Sequence, residues 1–112
     1  MLFELSVIPT GDVHLSGVLA EVLKKIDASG VPYQFTPTGT CLEGDWDVAM
    51  SLMHECHQIA RRRSPHVITT IRIDDDGETN KLSRNIRSVE EKAGHPLATQ
   101  PASSDAHKTG LA

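Results

Sequence analysis

Twelve residues in the first half of the chain, Tyr33 to Gly44, constrain the fold more than any other stretch. Their order, Tyr-Gln-Phe-Thr-Pro-Thr-Gly-Thr-Cys-Leu-Glu-Gly, sets β-branched and aromatic residues on both sides of Thr36-Pro37-Thr38-Gly39. A helix cannot run through Pro37, so the pattern predicts two short strands joined by a tight bend. On each side of this hairpin stands one further strand and one long amphipathic segment.

Leu2 to Pro9 alternates as a strand, with Phe3, Leu5 and Val7 on one face and Glu4, Ser6 and Ile8 on the other. Pro9-Thr10-Gly11-Asp12 is a loop in which Asp12 is the expected helix cap. Leu15, Val18, Leu19, Val22, Leu23 and Ile26 follow helical spacing, and Gly30 with Pro32 supplies the stop. After the hairpin, Asp45 is placed to cap a second helix with Trp46, Ala49, Leu52, Met53, Cys56, Ile59 and Ala60 as its buried stripe. Arg61 to Arg63 fall in the last turn, where positive charge suits the helix dipole, and Pro65 prevents continuation.

His66 to Asp74 is the fourth strand, with Val67, Thr69, Ile71 and Ile73 alternating against Ile68, Thr70, Arg72 and Asp74. The Asp74-Asp75-Asp76-Gly77 run reads as a solvated turn, because the spacing and terminal glutamate of a calcium loop are missing. Leu82, Ile86, Val89 and Ala93 mark a third helix ending at Gly94 and Pro96. Residues 1–94 are therefore expected to form one domain, and 95–112, rich in Ser, Thr, Ala and Pro, a disordered tail.

Two strand-helix-strand units with right-handed crossovers put both long helices on one side of the sheet. The expected fold is α+β, a ferredoxin-like βαββαβ sandwich: a four-stranded antiparallel sheet with two helices on one face, plus a C-terminal helix. Glu4, Ser6, Ile8, Gln34, Thr36, Ile68, Thr70 and Arg72 then lie on the open face, joined by Thr40 or Glu43 according to the register at the bend. Ile8 and Ile68 make that face too apolar for plain solvent surface, and the third helix has no place in a two-helix layer. Both point to a homo-oligomer. Ser6, Thr36, Thr38, Thr40, Glu43 and Arg72 are the candidate lining of a pocket for a planar polar ligand. Plain strand-forming threonines and a Glu4–Arg72 ion pair would account for the same pattern.

Fifteen acidic against eleven basic residues give a net charge of −4, which disfavours nucleic acid or an anionic membrane as partner. With two Phe, one Tyr and one Trp, the chain lacks aromatic platforms for RNA, and open-face positions such as Ser6 and Thr70 are not aromatic. The N-terminus lacks a leader pattern, no apolar run is long enough to span a bilayer, and Cys41 and Cys56 lack CxxC spacing. A cytoplasmic protein with reduced thiols is expected. His54 and His57 stand three apart on the second helix, but no acidic partner in register completes a metal motif. No nucleophile elbow, phosphate cradle or paired-carboxylate motif is present, so neither an enzyme nor a metal or cofactor is expected. An acylphosphatase-like enzyme would need an arginine in the loop after the first strand, where Pro9 to His14 has none.

Four blocks in order carry a resemblance: Ser6-Val7-Ile8-Pro9; Pro32-Tyr33-Gln34 through Thr36-Pro37, Gly39-Thr40 and Glu43-Gly44; Thr69 to Asp74; and Arg87 to Lys92. Over residues 2–93 the chain resembles the YkoF-related thiamine-binding family. The resemblance implies a ferredoxin-like subunit assembling into dimers and commonly tetramers, with thiamine or its hydroxymethylpyrimidine part as ligand. The site it implies draws on Ser6, Ile8, Tyr33, Thr36, Thr38, Gly39, Thr40, Glu43 and Arg72. Side chains such as Ser6, Thr38 and Thr40 would meet the aminopyrimidine, and Glu43 the cationic thiazolium. A regulatory or scaffold oligomer whose open face binds only protein is the competing reading.

Overall fold

The computed structural model describes residues 1–11 and 13–100. The elements run β1 (Leu2–Pro9), α1 (Leu15–Ser29), β2 (Tyr33–Thr36), β3 (Gly39–Glu43), α2 (Trp46–Arg63), β4 (Val67–Asp74) and α3 (Lys81–Ala93). The strands form one antiparallel sheet in the order β2-β3-β1-β4, the ferredoxin-like arrangement. Asp12 and most of the expected tail, 101–112, lie outside the described residues.

The ladder settles which way each side chain faces. Phe3 pairs with Leu42 and Ile73, and Leu5 with Thr40 and Ile71, so these share the helix-covered face. Glu4 stands between Cys41 and Arg72 on the open face, as does Glu43 beside Leu2. Of the two alternatives at the bend, Glu43 therefore takes the open face, and Thr40 goes under the helices, where it is 4% exposed. The bend is a two-residue loop, Pro37-Thr38, closed by the Thr36–Gly39 pair and a 2.8 Å bond from the Thr36 hydroxyl to the Gly39 carbonyl. No residue of it has positive φ, which suits Pro37 in the first loop position of an ordinary turn.

The core joins Phe3, Leu5 and Val7 of β1 to Leu42 of β3, a Val18, Val22, Ile26 row of α1, and Leu52, Met53 and Cys56 of α2. Three expectations are corrected. Trp46 begins α2 half-exposed, its ring centroid 6.4 Å from that of Phe3 at the rim of the core. Asp45 holds the α2 N-cap position, but its side chain makes no capping bond. The turn after β4 is more than solvated: Lys81, only 5% exposed, reaches back to Asp74 at 2.8 Å and Asp76 at 3.1 Å.

The arginine triplet sits as expected. Arg61 donates to the Ser64 carbonyl at 2.8 Å and Arg63 pairs with Glu21 of α1. Gly30 and Gly94 close α1 and α3 in the left-handed conformation that glycine adopts without strain.

Candidate functional site

Pairing between β1 and β3 ends at Leu5–Thr40, whereas pairing between β1 and β4 continues to Pro9–Val67. From Ser6 to Ile8, a strand in the middle of the sheet thus has a ladder neighbour on one side only. Peptide N–H and C=O groups on its other side lack a strand to bond. A cavity of about 280 Å³ opens there, walled by β1, the β2–β3 hairpin and α1.

Why α1 leaves that space follows from its sequence. Val18, Val22 and Ile26 form one i, i+4, i+8 row that enters the core. Leu15, Leu19 and Leu23 form a neighbouring row at the same spacing, and these three line the cavity. Phe35, on the edge strand β2 and 55% exposed, supplies an aromatic wall across from them. Gly39 allows the hairpin to approach: a Cβ there would stand 3.0 Å from the Leu5 carbonyl oxygen.

The polar groups in this apolar enclosure are few. Thr36 spends its hydroxyl on the turn. Thr38 and Thr40 also line the cavity, and so does Ser6, although strand parity sets its side chain on the open face with Glu4. Thr40 is the informative one, a residue only 4% exposed that brings a hydroxyl side chain to an otherwise apolar wall. The arrangement can therefore hold a flat heterocycle between Phe35 and the leucine row while Thr40 and the β1 peptide edge exchange hydrogen bonds with its rim.

Six of the nine residues proposed from the sequence line this cavity: Ser6, Ile8, Thr36, Thr38, Gly39 and Thr40. The other three stand elsewhere. The Tyr33 hydroxyl donates to Asp27 of α1 at 2.9 Å, and this bond pushes its pKa up. Arg72 lies on the open face opposite Glu4, in a shallow depression shared with Cys41 and Asp74. The Glu43 carboxylate accepts the Lys81 backbone N–H at the start of α3. The open face is thus not the floor of the enclosed cavity, which lies on the helix side at the open end of the hairpin.

His57 bonds Thr69 of β4 at 2.6 Å through Nδ1, and His54 is exposed. Among the described residues, no group of three or more potential ligands could hold a metal ion. None of the helices described is long and apolar enough to cross a membrane. Burial pushes the Cys56 thiol up to about 11 and, with the Glu4 charge, also raises that of Cys41; both cysteines are free.

The sequence of residues 3–90 matches the family described as thiamine-binding protein. The chain belongs to that family. Among solved structures, a hypothetical protein of Methanocaldococcus jannascii is 22% identical, with a TM-score of 0.71 over 80% of this chain and 95% of its own. A DUF77 domain of Bacillus cereus is 25% identical, with a TM-score of 0.67 over 73% and 84%. A Thermotoga maritima protein described as a candidate thiamine biosynthesis/salvage protein is 18% identical, with a TM-score of 0.70 over 79% and 96%. No curated protein matches the chain.

For this member of the thiamine-binding protein family, reasoning from sequence missed the leucine row and Phe35 as site residues. A signal existed in α1, whose apolar stripe of two adjacent rows is wider than one buried seam requires.

Proposed function

We propose that the chain is a non-catalytic binding protein for thiamine or its hydroxymethylpyrimidine moiety, acting as carrier, buffer or sensor, and that the cavity between α1 and the hairpin is where the ligand sits. The observation that carries this reading is the cavity itself, opened where β3 ends before β1 and lined by apolar side chains with a few hydroxyl residues, Thr40 among them. Family membership supplies the ligand class, and the cavity's volume is at the small end of the range for small-molecule sites. Binding alone needs no nucleophile. The free thiols, one deep in the core, suit a cytoplasmic setting. Calorimetric titration with thiamine and with hydroxymethylpyrimidine tests the reading, which predicts saturable heat for at least one of them. Heats no larger than dilution for both would remove it.

The same reading includes self-association. Ile8 and Ile68 are paired neighbours on the open face, 48% and 50% exposed, and the α3 row of Leu82, Ile86 and Val89 is incompletely covered. A second copy covering these surfaces makes a dimer or tetramer, which native mass spectrometry reads directly. The exposed isoleucine pair also favours a second reading, a scaffold oligomer whose open face binds only protein. That reading predicts Thr40→Val to be silent toward every small ligand.

A further inference from the structure

The segment that follows α3 comes back to the wall of the ligand cavity. The helix ends at Gly94, and the Leu97 N–H then donates to the Glu90 carboxylate at 2.6 Å, which folds the chain back over the last helical turn. Beyond this bond, Ala98 to Gln100 face Gln34 to Pro37 of the hairpin across a gap of about 680 Å³. Phe35, Thr36 and Pro37 line both this gap and the cavity beside α1, so this part of the hairpin is a partition between the two. The returning segment lies beyond the family match, which ends at residue 90.

β2 is an edge strand, and its parity fixes which of its peptides are free. In an antiparallel ladder alternate residues bond the neighbouring strand, and the others turn N–H and C=O away from it. The Glu43 N–H bonds the Pro32 carbonyl at 3.0 Å, so in this register the bonded residues are Pro32, Gln34 and Thr36. Tyr33 and Phe35 therefore present their peptide groups at the open edge. Consecutive residues of both parities line the gap, so the returning segment meets β2 at this edge and not over one face. Phe35 belongs to both sides. Its peptide faces the edge, while its side chain, on the helix-covered face with Thr40, walls the cavity.

Resting on the binding reading above, we propose that the open edge of β2 is the docking site of this chain's own C-terminal segment, Leu97 to Gln100, which bonds the Phe35 peptide and closes the gap as ligand fills the cavity. An edge strand is a ready template for one more strand, and a segment tethered at Leu97 reaches it at an effective concentration of roughly millimolar order. Docking orders Phe35 through its main chain and the ligand orders it through its ring, so each favours the other. The segment is then a strap that couples occupancy of the cavity to the state of the C-terminus.

The test is amide hydrogen exchange and calorimetry on the full chain, with hydroxymethylpyrimidine and thiamine as probes. The parent is compared with a variant carrying Ala98→Pro and Thr99→Pro, two exposed positions where proline removes the strap's donors. Saturating probe is expected to slow exchange of the Phe35 amide and of residues 98–100 at least about fivefold, and the proline variant to bind the probe more weakly by the same factor with unchanged melting. Glu90→Ala, which frees the Leu97 N–H, is expected to fall between the two. Equal affinity in the parent and the proline variant, with Phe35 exchanging fast in both, would overturn the proposal and leave the binding reading standing. Protection of Phe35 that fades on dilution would overturn it as well, by giving the edge to a second copy of the chain. If neither probe binds the parent, the binding reading fails by itself and the docking is read without ligand. Tyr33 and Phe35 amide shifts that differ between the parent and the proline variant then support the docking, and identical shifts overturn it.

Discussion

The Glu43 carboxylate accepts the backbone N–H of Lys81, fixing the start of α3 to the end of β3. Asn80, in the left-handed conformation at the N-cap, makes no side-chain capping bond, so Glu43 supplies from across the sheet what a local cap would otherwise give. Lys81 completes the clamp by pairing with Asp74 and Asp76. Glu43→Ala should therefore loosen α3 at a cost of about 1 kcal/mol, the usual worth of a lost cap. Hydrogen exchange checks this: faster exchange over residues 81–93, with the sheet unchanged, is the expected pattern.

The same clamp responds to pH in a defined direction. The Glu78 backbone N–H, and then the Lys81 ammonium, hold the Asp76 carboxyl below its ordinary value of 3.8. A depressed folded value means that its contribution is complete above the unfolded pKa and is lost as pH falls through the lower, folded one. The Asp74 bond raises the Lys81 pKa above 10.5, so the lysine's contribution is present below that value and fades only as pH rises through the folded pKa. Exchange protection of α3 should thus hold from about pH 5 to pH 10 and fall first on the acid side. Loss of protection near neutrality would contradict this.

Gly39 is where the hairpin crosses closest to β1. Its φ is ordinary, so the constraint is space: an alanine methyl would press on the Leu5 carbonyl oxygen at 3.0 Å. Gly39→Ala should lower stability by about 1–3 kcal/mol, as overpacking does, and it should widen the cavity mouth by pushing the hairpin outward. A urea melt measures the first effect, and a change in ligand affinity the second.

The two thiols should be told apart chemically. Cys56 is fully buried, with its pKa pushed to about 11, while Cys41 lies half-buried on the open face. Near pH 8 a thiol reagent is expected to modify Cys41 slowly and Cys56 only on unfolding. Slow modification of one thiol, followed by a second on adding denaturant, is the result to look for. Protection of Cys41 that weakens on dilution would further report a partner copy on the open face.

Much of the fold was legible because its signals are local. Period-two alternation in Leu2–Pro9 and Val67–Asp74, the Thr36-Pro37-Thr38-Gly39 bend and the stops at Gly30 and Gly94 each act over a few residues. Strand parity then assigned most side chains to a face. Thr40 escaped because its face depends on how many residues the bend consumes, which is a matter of register rather than propensity. The bond from Glu43 to a backbone N–H 38 residues later could not be read ahead, because such a partner leaves no trace in side-chain chemistry. The cavity itself arises from β3 ending before β1 does, a difference in strand length visible only once the two strands are paired.

The central claim is that ligand enters between α1 and the open end of the hairpin. Amide chemical-shift mapping of the full chain during titration with hydroxymethylpyrimidine and with thiamine tests it most directly. Shifts concentrated in Ser6–Ile8, Leu15–Leu23 and Phe35–Thr40 are predicted. Shifts centred instead on Glu4, Ile68 and Arg72 would put the ligand on the open face and contradict the account.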